Sequence, residues 1–146
     1  MIALRSVLLA IGLSFALAGC ITFTDAAYRT KGSVAVGLST AVEIWQELDL
    51  QKQRDLIADA KTRTEIDAML ANYRAGEQAK VVKAFKACRH SLAALSAALR
   101  GYEAGTSKKP QLEAALREAL TALGELVAAI RAAGGNLDFA KLLAES

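Results

Sequence analysis

The sequence predicts an all-α fold, a three- or four-helix up-and-down bundle, on three observations. Apolar residues make up 53% of the 146 positions while aromatics make up only 5%. Ala and Leu, both strong helix formers, therefore carry the apolar content. Proline occurs once, at Pro110, so long stretches are free of helix breakers. Apolar residues recur at steps of three and four, the period of a helix, whereas the turns and β-branched runs that a β fold needs are missing. The same apolar content argues against disorder.

The first element is not part of the bundle. Residues 1–20 read MIALRSVLLAIGLSFALAGC. Arg5 supplies a short positive region, and residues 7–17 form an apolar stretch broken only by Gly12 and Ser14. Small residues and Cys20 follow. This is the three-part layout of an export signal, and it is too short for a spanning helix of ~20 residues. Leu17, Ala18, Gly19 and Cys20 together resemble the lipobox of bacterial lipoproteins. The resemblance covers the first 20 residues only, and the single charge ahead of the apolar stretch is fewer than the class usually carries. It implies that a diacylglyceryl group is attached to the Cys20 thiol and that the chain is cut before Cys20, whose new amine is often acylated too in that class. Two or three acyl chains hold firmly where one binds marginally. Ile21 stands where an Asp tends to retain enteric lipoproteins in the inner membrane, so the resemblance implies the outer membrane, facing the periplasm. The expected organisation is residues 1–19 as signal peptide, 20–25 as lipidated N-terminus and tether, and 26–146 as helical bundle. A five-residue tether reaches only ~17 Å, which keeps the folded part near the lipid.

In residues 26–75, Val34, Leu38, Val42, Trp45 and Leu48 step by three or four. Thr62-Arg63-Thr64-Glu65 has the spacing of a capping box, a hydroxyl followed three residues on by a carboxylate. Either a second helix starts there or one helix runs through. Ile66, Leu70 and Tyr73 continue an apolar face. Gly76 either bends the chain or is tolerated within a helix.

The clearest pattern follows. Val81, Phe85, Cys88, Leu92, Leu95, Leu99 and Tyr102 alternate steps of four and three, a heptad seam over three repeats. Gly101, Gly105, Thr106, Ser107 and Pro110 mark a loop, with Ser107 or Thr106 expected to cap the next helix and Pro110 in its first turn. Leu112, Leu116, Leu120, Leu123, Val127 and Ile130 line that helix, and Gly134-Gly135 stops it. Asn136 is expected to cap a last short helix carrying Leu137, Phe139, Leu142 and Leu143. The short loop makes the two long helices an antiparallel pair.

Net charge is +3, too balanced to point to nucleic acid. Its distribution is uneven, with seven basic and two acidic residues between positions 76 and 109. Lys80, Lys83, Lys86 and Arg89 fan over one broad helix face. They are either a solvated face balanced by Glu113, Glu118 and Glu125, or a contact for anionic lipid, a wall polymer or an acidic partner. Cys88 and His90 lie two apart and so point away from each other on a helix. Cys88 fits the seam as a buried thiol, with an intermolecular disulfide as the alternative. One His and one remaining Cys give no ligand spacing for a metal, and no G-x-S-x-G, P-loop or H-E-x-x-H occurs. The sequence thus predicts no enzyme, no cofactor and no metal. It predicts a membrane-anchored, non-enzymatic adaptor, scaffold or inhibitor of another envelope protein. A membrane-perturbing, toxin-like lipoprotein is the alternative, and a hydrolase using paired carboxylates is the third reading.

Overall fold

A computed structural model describes residues 22–138 and Ala140. Helix α1 spans Phe23–Asp59, 37 residues. Helix α2 spans Arg63–Tyr73, a π-helical turn covers Arg74–Gln78, and α3 spans Ala79–Glu103. Helix α4 spans Lys109–Ala132. The chain is all-α, and the described residues form a helical bundle of three rods. One is α1, the second is α2, the π turn and α3 end to end, and the third is α4. The rods run up, down and up.

Local chemistry explains each boundary. Thr22 caps α1, its Oγ1 accepting from the Asp25 N–H at 3.2 Å. The helix therefore begins three residues before the expected bundle boundary at residue 26. The capping box at Thr62 resolves in favour of a new helix. Thr62 Oγ1 accepts from Glu65 N–H at 3.2 Å, and Glu65 Oε2 accepts from the N–H groups of Thr62 and Lys61 at 3.1 and 2.8 Å. Both α3 and α4 end in Schellman motifs. Gly105, at φ +72°, turns the chain while the N–H groups of Thr106 and Gly105 return to the carbonyls of Gly101 and Tyr102. Gly134, at φ +92°, does the same for α4, with Gly135 N–H on Ile130 and Gly134 N–H on Arg131. The cap of α4 is Lys108, not Ser107 or Thr106. The Lys108 N–H donates to Gln111 Oε1 at 2.7 Å, whereas the N–H groups of Thr106 and Ser107 are spent on closing α3. Pro110 sits in the first turn of α4 as expected.

The core follows the predicted seams and widens them. Val81, Cys88, Leu95 and Leu99 on α3 are buried, with Phe85, Leu92 and Tyr102 packed against them. On α4 the buried stripe includes Ala119, Ala122 and Leu126 beside the predicted Leu112, Leu116, Leu123, Val127 and Ile130, because α4 packs on both α1 and α3. On α1 the buried positions are Ala27, Val34, Gly37, Ala41 and Trp45. A Cβ on Gly37 would meet Leu123 Cδ2 at 3.0 Å, so α1 and α4 approach closely there.

The three rods differ in length, and this shapes the molecule. The 24 residues of α4 reach ~36 Å, while α1 reaches ~55 Å. The chain leaving α4 passes beside Leu48, to which a Cβ on Gly135 would lie within 3.4 Å. Beyond that level, among the described residues, α1 and α2 continue as a two-helix arm. No residue of α2 is buried, and none of α1 beyond Trp45. Leu137 is buried at the arm's base; the other apolar residues of the expected last helix, Phe139, Leu142 and Leu143, lie outside the described residues.

Candidate functional site

The best-defined polar constellation sits where the arm leaves the bundle. The heptad register of the second rod slips there. Ile66, Leu70, Tyr73 and Glu77 step by four, three and four, but Val81 follows after four where three would keep register. One extra residue must be absorbed, and the π turn at Arg74–Gln78 absorbs it. The slip brings Glu77 and Gln78 toward α1 in place of apolar side chains. Asp49 of α1 then collects three donors: Tyr73 Oη at 2.5 Å, Gln78 Nε2 at 3.0 Å and Gln53 Nε2 at 2.9 Å. Lys52 pairs with Glu77 alongside. Partial burial, and then the Asp49 carboxylate, push the Tyr73 phenol well above its usual range, so it stays a neutral donor. The arrangement ties α1 to the π turn. With two of its three donors on the second rod and the third on α1 itself, Asp49 reads as the centre of a structural clasp.

The clasp was hidden from sequence reasoning, which placed Tyr73 on an apolar face and passed over Asp49 and Gln78. The available signal was the step of eight from Tyr73 to Val81, which places Glu77 and Gln78 where an otherwise regular seam would be apolar.

The predicted site residues fall as follows. Leu17, Ala18, Gly19 and Cys20 lie outside the described residues. Lys80, Lys83, Lys86 and Arg89 are all exposed on α3. Among the described residues none of the four forms an ion pair, and of the acids expected to balance the basic segment only Glu113 is paired, with Lys109 at 3.7 Å. Cys88 is wholly buried, and burial pushes its thiol up to about 11. His90 is exposed on a different side of α3, so the two do not meet. Glu118 and Glu125 line a shallow groove between α3 and α4 with Arg117, and both are exposed.

The N-terminus of α1 lies beside the α3–α4 turn. Phe23 packs edge-on against Tyr102 with ring centroids 6.0 Å apart, Lys109 lies over the Phe23 ring, and Tyr28 Oη donates to Glu103 at 2.8 Å. The arm tip, residues 59–62, is at the opposite end. Among the described residues no helix is long and apolar enough to cross a membrane, and no three His, Cys, Asp or Glu side chains gather as a metal site would require. No protein family, curated protein or solved structure matches the chain.

Proposed function

We propose that this protein is a lipid-anchored envelope lipoprotein whose helical domain works by contact rather than catalysis, as a scaffold that holds its arm away from the membrane for another envelope protein. The observation that carries the reading is the direction of α1. Only Ile21 and Thr22 separate Cys20 from Phe23, and α1 then runs unbroken for 37 residues. With lipid on Cys20, that axis stands the arm tip up to ~55 Å from the anchor. The outer membrane, facing the periplasm, is the location that Ile21 supports.

The same geometry refines the basic segment. Cations beside the anchored end are Arg29, Lys31, Arg100, Lys108 and Lys109, and these suit anionic headgroups. Lys80, Lys83, Lys86 and Arg89 stand ~25–40 Å further along an upright bundle, several times the Debye length of ~8 Å. They suit an acidic protein surface better than lipid.

A photoreactive residue at Lys61, in full-length chain made by living cells, tests the scaffold. An adduct with another envelope protein at Lys61 and none from the same group at Arg117 is the expected result. Equal labelling from both positions, or none at Lys61, contradicts it.

A further inference from the structure

We propose that copies of this chain associate side by side, the outer face of α1 in one copy against the outer face of α3 in the next. Three observations carry it. First, α1 presents large aliphatic side chains directly opposite its core face. Val36, Leu50 and Ile57 are each about half exposed, at 49%, 54% and 47%, and their spacing by multiples of seven puts them on one line of the helix. Second, that line is acidic at mid-height. Glu43 and Glu47 lie two turns and one turn before Leu50 in a shallow groove that Arg54 closes on the far side, and both are unpaired among the described residues. Third, α3 is the complement. From Ala79 to Tyr102 it holds no acid, and exposed Val82 is followed by Lys83 and Lys86, neither of which has an ion-pair partner among the described residues.

The internal ties of the molecule set the heights of these groups. Lys52 pairs with Glu77, and α1 and α3 run in opposite directions from there. Counting nine residues back from Lys52 gives Glu43, and nine on from Glu77 gives Lys86. Five back gives Glu47, and six on gives Lys83. The Tyr28–Glu103 and Asp49–Gln78 ties agree with this count to about two residues, ~3 Å. Two copies standing in the same direction without axial slip therefore bring Glu43 level with Lys86, Glu47 level with Lys83, and Leu50 close to Val82. The contact joins two different faces, so it repeats from copy to copy and builds a row or ring. It rests on the fold alone. It is also the arrangement open to copies whose N-termini share one membrane.

Charge reversal tests it, using the full-length protein as cells produce it, held in detergent and followed by sedimentation. Glu43→Lys with Glu47→Lys makes both faces basic; Lys83→Glu with Lys86→Glu makes both acidic. All four positions are exposed, and unchanged helical circular dichroism verifies the fold. Wild-type protein is expected to associate, each double variant alone to associate at least about tenfold more weakly, and an equimolar mixture of the two to recover the wild-type size. Three results each overturn the proposal: a monomeric wild type, double variants that associate as wild type does, or a mixture that stays dissociated.

Discussion

At the scale of single residues, the fold assigns Cys88 to packing. It fills a position on the α3 seam between Phe85 and Leu92 with no exposed surface, where an apolar environment opposes the thiolate. An intermolecular disulfide is closed to it in the native fold. The pH dependence follows from the direction of the shift. The folded thiol ionises near 11 and the unfolded one near its ordinary value of 9.0. Below pH 9 both forms are protonated and Cys88 adds no pH dependence. Above it the unfolded chain gives up its proton first, so stability falls as pH rises from 9 toward 11. In a Cys20→Ser chain, an alkylating reagent at pH 8 should modify Cys88 at least about a hundredfold faster in denaturant than in native buffer. Equal rates would place the thiol at the surface. His90, two positions along, is exposed and has no part in this chemistry.

At the scale of elements, the arm should open before the bundle, because no described residue of α2 and none of α1 beyond Trp45 is buried. Its stability leans on the Thr62 capping box and the Asp49 clasp. Thr62→Ala removes the acceptor for Glu65 N–H and should cost ~1 kcal/mol. The effect should be local, with amides of α2 exchanging with deuterium faster while those of α4 keep wild-type protection. Uniform loss across α4 would mean that arm and bundle unfold as one unit. Much of this level was legible in the sequence. The α3 seam, the α4 stripe, the Gly134-Gly135 stop and the turn containing Gly105 are written in spacing and in glycine chemistry. The Thr62 break was visible as a capping box, but local spacing alone could not choose between a break and a continuous helix. Burial of Ala119, Ala122 and Leu126 was less visible, since a helix packed on two neighbours buries more than one stripe. Asp49 and Gln78 were harder to read for another reason. Their partnership spans α1 and the π turn and exists only once the register slip turns polar residues inward.

At the scale of the whole molecule, unequal rod lengths organise everything else. The three-rod part holds the core, and the two-rod part projects from it. The N-terminus of α1 and the arm tip lie at opposite ends of the described residues. The uncompensated charges on α1 and α3 fall at matching heights along this axis, which makes the outer surface as directional as the core. The proposed role depends above all on lipid at Cys20. Intact-mass measurement of the mature protein, purified from its membrane, tests this most directly. The expected result is a chain that begins at Cys20 and carries the added mass of diacylglycerol, with or without a further acyl group on the amine. A free thiol at Cys20, or an N-terminus anywhere else, would contradict it.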